Sequence, residues 1–281
     1  MTRPHIEFYQ TQNQPWVRDT RFADCEVKVL SLDDETGAYT ALQRYPENLL
    51  VEGNHPLCAN EEFFVLSGLF HLNGLEYAPG CYGFIPATQD RTDLLALEET
   101  VLLRFFDYAP EPFEGQVDAL ERANGRPAIP ILDTYRMQWD TKLHDVKLAH
   151  LGLGRKNLRI DPISGQRTFL FKTSPQTHPA NWRNPQESHP TPEECYFLAG
   201  DLTGDRGTMQ EGAYFWRPPG IPHGPYGSIG GSLSLIRFVE GKHVNIWGDD
   251  DKVFSYREAY NPNLPDSYQA YSGENPRRNP F

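Results

Sequence analysis

Short runs in which apolar and polar residues alternate recur along the chain, as expected of half-buried β-strands. Cys25-Glu-Val-Lys-Val-Leu-Ser-Leu is one, and Val146-Lys-Leu-Ala-His-Leu-Gly-Leu reads as another. Glu62-Phe-Phe-Val-Leu-Ser-Gly has a counterpart in Glu194-Cys-Tyr-Phe-Leu-Ala-Gly, and Gly80-Cys-Tyr-Gly-Phe-Ile-Pro has one in Gly212-Ala-Tyr-Phe-Trp-Arg-Pro. Glu61 and Glu193, Gly68 and Gly200, Gly80 and Gly212, and Pro86 and Pro218 are all separated by 132 positions. Four landmarks at one offset identify an internal duplication.

Taking Val27 and Val146 as equivalent gives a smaller separation, 119. The second copy is therefore expected to carry roughly a dozen extra residues, placed in the Pro-rich loop Ser174-Pro-Gln-Thr-His-Pro-Ala-Asn-Trp. Between the copies, Gln116–Gly125 predicts a short helix ending on glycine, and Pro127-Ala-Ile-Pro130 a linker. The expected organisation is an N-terminal domain at 1–126, a C-terminal domain at 127–248 and a polar, tyrosine-rich arm at 249–281.

Composition agrees with a β protein: 24 prolines and 23 glycines punctuate the 281 residues, and 12% are aromatic. The formal net charge of −12 argues against nucleic acid and anionic membrane surfaces, which need clustered Lys and Arg. No run of ~18 apolar residues and no apolar leader is present, so a cytoplasmic location is the expectation. Cys25, Cys58, Cys81 and Cys195 lack Cys-x-x-Cys spacing and read as free, half-buried thiols.

Candidate chemistry is concentrated in the second copy. Glu187-Ser-His189-Pro-Thr-Pro-Glu193 precedes one strand, and Gly212-Ala-Tyr-Phe-Trp-Arg-Pro-Pro-Gly-Ile-Pro-His223 spans the next. Two imidazoles with carboxylates on neighbouring strands form a donor set suited to a divalent metal with open positions for water or substrate. Glu193 belongs to that set, because a carboxylate buried between barrel walls needs a cation. Glu187 is either a further ligand or an acceptor that orients His189. Glu194 has the opposite strand parity to Glu193 and is expected to point away.

These landmarks resemble the cupin superfamily. Its first motif runs His-x-His, three or four residues, Glu, six residues, Gly. Its second runs Gly, five residues, Pro-x-Gly, two residues, His, three residues, Asn. The second copy matches with His189, Glu193, Gly200, Gly212, Pro218, Gly220 and His223, and departs from it with Glu187 for the first His and Gly227 for the final Asn. The resemblance implies an all-β bicupin: two tandem double-stranded β-helix (cupin) barrels with a short helix and Pro-rich linker. It implies one divalent metal per chain in the C-terminal barrel, held by His189, Glu193, His223 and Glu187. Iron(II) is favoured, with zinc, manganese or nickel as alternatives.

The first copy departs further. His55 and Glu61 remain, but Leu57 stands where His189 does and Arg91 where His223 does. A guanidinium there repels a divalent ion, so the first barrel is expected to be metal-free. His55, His71, His150, His178 and His243 read as structural or solvated.

The leading functional expectation is dioxygenase-type oxidative cleavage of a small aromatic, enol or β-dicarbonyl compound. Tyr196, Tyr214, Trp216 and Arg217 are candidate pocket residues, although Tyr214 and Trp216 share a face with Gly212 that equally suits ordinary core. The alternatives are a non-oxidative metal-dependent hydrolase, lyase or isomerase, and a non-enzymatic ligand-binding or sensor module of the kind found in some anti-sigma factors. The fold also suggests a homodimer, with the tyrosine arm wrapping a neighbour or folding back on its own subunit.

Overall fold

The computed structural model describes residues 3–22, 24–142, 145–274 and 281. Nearly all of its regular structure is antiparallel β, and it divides into two compact units. One comprises Arg3 and the described residues of Pro15–Met137; the other comprises Pro4–Gln14 and the described residues from Gln138 onward. Among the described residues no helix is long and apolar enough to cross a membrane.

In the first unit a seven-stranded sheet faces a four-stranded one. The core between them takes Phe63, Val65 and Leu102 from the large sheet and Phe70, Leu72 and Tyr77 from the small one. The second unit repeats the plan with a seven-stranded sheet and a two-stranded ribbon. Its core holds Cys195, Phe197, Ala213 and Phe215 from the sheet, with Trp247 of the ribbon packed against them. All four cysteines are free and buried.

The strand that opens each repeat lies in the other unit's sheet. Ile6–Gln10 pairs with Ala213–Arg217, and Ile129–Asp133 pairs with Cys81–Ile85. Each added strand covers an edge that would otherwise present a row of unpaired N–H and C=O groups. The units therefore divide at Gln14/Pro15 and Met137/Gln138 rather than at 126/127. The boundary at 248/249 also falls inside an element, because the strand Ile246–Val253 pairs with Arg183–Ser188 in the second unit.

Val146–Leu151 is a 3-10 helix, not a strand. The Asp145 side chain accepts from the Lys147 N–H at its start, and Gly152, in the left-handed region, ends it. That cap-and-glycine pair outweighs an alternation short enough to suit either structure. The strand equivalent to Glu26–Leu32 is Gly154–Ile160, and the one equivalent to Tyr39–Tyr45 is Arg167–Thr173. Both pairs are offset by 128 positions. The second copy thus gains four residues between Thr173 and its motif, not a dozen.

The expected helix is present as Val117–Ala123. The glycine landmarks carry the repeat's turns. Gly68 and Gly200 have φ of +81° and +78°, and a Cβ would stand 2.3 Å from the Glu99 oxygen in one and 2.0 Å from the Gly231 oxygen in the other. No side chain fits either turn, so both copies keep glycine. The arm folds back on its own unit: the Tyr260 hydroxyl donates to the Phe8 carbonyl, and Tyr268 and Tyr271 pack against Tyr9. The end of the arm, 275–280, lies outside the described residues.

Candidate metal centre

Backbone pairing brings the two motifs of the second unit together. Glu187 and His223 exchange both backbone hydrogen bonds, at 3.0 and 2.9 Å, and the Gly220 N–H donates to the His189 carbonyl at 2.8 Å. Glu187 sits opposite Trp247 in the ribbon, whose indole N–H donates to Asp145 at 2.8 Å. Two residues a long way along the chain thus fix the strand that carries Glu187.

Each imidazole is oriented through Nδ1. That of His189 lies 3.0 Å from the Val244 carbonyl and that of His223 lies 2.9 Å from the Ile221 carbonyl. Donation from Nδ1 to a carbonyl leaves Nε2 as an acceptor, the tautomer a metal ligand requires. One donor atom each from Glu187, His189 and His223 falls within 4.8 Å of the others. All three residues are buried.

Glu193 stands beside them with a second tie. Its Oε2 is 3.8 Å from His189 Nε2 and 3.7 Å from His223 Nε2. The same oxygen accepts from Arg217 Nη1 at 2.8 Å, and Arg217 also donates to Glu7. Glu7 comes from the exchanged strand Ile6–Gln10, so the charge next to the site depends on the chain's first strand.

Burial dominates the electrostatics. Burial first, then repulsion by Glu193, pushes the Glu187 carboxyl up to about 8, so it is protonated at neutral pH until a cation replaces the proton. Burial and then Arg217 lower His223 to about 3, leaving a neutral imidazole ready to coordinate. Burial alone would raise Glu193, but Arg217 and the two imidazoles outweigh it and hold the carboxyl below its ordinary range. Glu7 is held down to about 2, with burial opposed and overridden by Arg217.

The chemistry of this donor set fits a divalent transition metal: two imidazoles and a carboxylate converge, with no thiolate. The charges fit as well. Glu7, Glu193 and an ionised Glu187 against Arg217 leave two net negative charges, which a divalent ion balances. In the first unit the equivalent carboxylate, Glu61, is already saturated. Arg91 Nε donates to it at 3.0 Å and Arg104 Nε at 2.9 Å, so one anion faces two cations. The position of Arg104 is taken in the second unit by Ile236.

The site opens on a cavity walled by Phe169, Phe171, Phe197, Phe215 and Tyr226 among others. Of the sequence-derived pocket candidates, Arg217 lines this cavity. Tyr196, Tyr214 and Trp216 do not, because on their strands Cys195, Phe197, Phe215 and Arg217 hold the inward parity. Tyr214 instead donates to Glu194 at 2.9 Å, and Arg237 binds the same carboxylate. The first unit repeats this outward pair, with Tyr82 donating to Glu62 at 2.7 Å. Tyr214–Glu194 therefore belongs to the barrel and not to the metal site.

His243 was not legible as part of the site. It lies in the loop before the ribbon, stacked on Phe238 at 3.9 Å and edge-on to His189 at 5.3 Å. Its Nε2 is 2.7 Å from Asn245, and burial and then Arg155 lower it to about 3. It carries no motif spacing, and only tertiary packing brings it to the cavity. His150 and His178 pack with Trp182 and do not line the cavity.

The model of the ChrR cupin-like domain matches residues 5–109 and again 132–239. The chain belongs to the ChrR cupin-like family. No curated protein matches the sequence. Solved structures show the same cupin fold. A candidate dioxygenase from Nostoc punctiforme is 21% identical, with a TM-score of 0.68, covering 89% of this chain and 87% of its own. A candidate glyoxylate-induced protein from Pseudomonas aeruginosa is 15% identical, with a TM-score of 0.59 over 88% and 92%. A variant of Bacillus subtilis oxalate decarboxylase is 10% identical, with a TM-score of 0.56 over 86% and 79%. A cupin of this kind with His189, His223 and Glu187 converging in one barrel implies a metal site there.

Proposed function

We propose that this cupin is a metal-dependent bicupin enzyme that carries out dioxygenase-type oxidative cleavage of a small aromatic, enol or β-dicarbonyl compound. The observation that carries the reading is the convergence of Glu187, His189 and His223 on a largely apolar cavity. Glu187, His189 and His223 would hold one divalent metal per chain, iron(II) by preference, and Glu193 would face it while anchored to Arg217. Such an ion supplies Lewis acidity and, as iron(II), redox chemistry toward dioxygen.

The chain's own residues prepare the reaction. Val244 and Ile221 fix the imidazole tautomers through their carbonyls. Arg217 keeps Glu193 charged in a buried place. Glu187 is the group whose proton leaves on loading. The phenylalanine walls exclude water and receive a flat, apolar substrate body. In the first barrel the Glu61 ion pairs support a metal-free role.

Elemental analysis of protein purified without added metal, followed by oxygen uptake on a panel of enols and catechols with and without a carboxylate, tests the proposal. Iron near one per chain with substrate-dependent oxygen consumption supports it. Zinc with turnover indifferent to oxygen would replace it with the non-oxidative reading, and metal without any turnover with the sensor reading.

A further inference from the structure

Two polar groups in the cavity wall have no hydrogen-bond partner among the described residues. Arg155, 7% exposed, has an unsatisfied Nε, and its guanidinium makes neither a hydrogen bond nor an ion pair with any described residue. It rests over the rings of Phe169 and Phe171, 5.3 and 5.7 Å from their centroids. Tyr226, 8% exposed, has a buried hydroxyl with no partner. Both line the same cavity as Glu187, His189 and His223. A buried cation and a buried hydroxyl without partners are costly to fold, and ligand-receiving groups are where such costs persist.

The charge count is compatible. With a divalent ion bound, Glu7, Glu193, Glu187 and Arg217 are balanced, and Arg155 has no carboxylate of a described residue in ion-pair contact, Asp140 and Asp145 acting on it only from longer range. Arg155 also lines a second groove with Asp140, Lys142, Asp145 and Lys172, so it stands between that groove and the cavity. Its planar guanidinium suits two-point recognition of a carboxylate.

We infer that the substrate is a small carboxylate carrying a second oxygen function, its carboxylate received by Arg155 and its second oxygen by the Tyr226 hydroxyl. This rests on the metal-dependent reading of the cavity and narrows its substrate class to monoanions. The neutral enol, catechol or diketone is then a poor ligand, and its acid counterpart a good one.

Isothermal titration of the zinc-loaded protein, which turns nothing over oxidatively, tests the inference. The ligands are acetoacetate against methyl acetoacetate, and salicylate against methyl salicylate. Each acid is expected to bind at least about tenfold more tightly than its ester, since a charge-assisted contact is worth that much. Arg155→Gln should abolish the preference and, by removing a buried cation without a hydrogen-bond partner, should not lower the melting temperature. Tyr226→Phe should weaken acid and ester alike. Equal binding of acid and ester, binding of neither, or a preference that survives Arg155→Gln overturns the inference. Equal binding of acid and ester by the unaltered protein overturns the inference even if a variant fails to fold, and an acid preference that persists in the metal-free protein excludes carboxylate binding to zinc as its source. The same titration without metal separates the two readings. An acid preference without zinc uptake sinks the metal centre alone, whereas zinc uptake without acid preference sinks this inference alone.

Discussion

Arg217 donates to Glu193 across 2.8 Å, and the oxygen it binds is the one facing the Nε2 atoms of His189 and His223. The carboxylate is thus kept charged by a permanent cation on one neighbour while it faces the place a metal would occupy. Arg217 is also tied to Glu7, and both are almost wholly buried. Arg217→Leu leaves two buried carboxylates without their cation and is expected to destabilise the protein by about 3–5 kcal/mol. Urea unfolding measures the loss, and adding Glu7→Gln should recover part of it. A loss well under 1 kcal/mol would show that the triad carries no net weight.

His223→Ala and His189→Ala remove ligand nitrogens whose Nδ1 atoms are already committed to carbonyls. Each is expected to weaken metal binding by about a hundredfold or more, beyond the 10–100-fold effect of an outer-shell partner. Competition with a chromophoric chelator reads this directly. Tyr214→Phe, by contrast, breaks the outward bond to Glu194 and should cost about 1 kcal/mol of stability with metal affinity unchanged.

Metal affinity should depend on pH through Glu187. Its carboxyl stands at about 8, so below that pH the incoming ion must displace a proton. His223, lowered to about 3, is neutral throughout this range and adds no pH dependence. Affinity therefore rises about tenfold per pH unit from 6 to 8, with one proton released, and levels off above. The sign for the metal-free protein is opposite: a raised carboxyl withdraws stability as pH climbs from the ordinary value of 4.5 toward 8. Titrations in buffers of different ionisation enthalpy count the proton. Glu187→Gln should flatten the profile and weaken binding at pH 8.

The first barrel offers a converse experiment. Leu57→His with Arg91→His restores imidazoles at the positions of His189 and His223, yet Arg104 still holds Glu61 at 2.9 Å. The double variant is expected to bind no cobalt(II) there. Adding Arg104→Ile, which copies Ile236, should create a site with a cobalt absorption band when the C-terminal site is disabled by His223→Ala. Cobalt binding by the double variant would show that Arg104 does not control the site.

The amino-acid sequence by itself determined what local chemistry dictates. Gly68, Gly80, Gly200 and Gly212 all adopt positive φ, and that demand preserved the 132-residue register in both copies. The alternation around Glu193 and Glu194 likewise separated the inward carboxylate from the outward one, because parity is a property of neighbouring residues. The strand reading of Val146–Leu151 failed for a local reason as well, since Asp145 and Gly152 were the cap signals that the alternation obscured.

Only the tertiary structure decided which distant charges meet. Glu7 reaches Arg217 because the first strand crosses into the second unit's sheet, a pairing between backbones that leaves no side-chain pattern. His243 reaches the cavity, and Val244 reaches His189, because the ribbon strand Ile246–Val253 closes over Arg183–Ser188. Arg155 looks like any other strand arginine in sequence, and only the packing around it reveals a buried cation with no hydrogen-bond partner among the described residues. Turns and parity act over a few residues and can be read along the chain; charge compensation in a buried site acts through space and cannot.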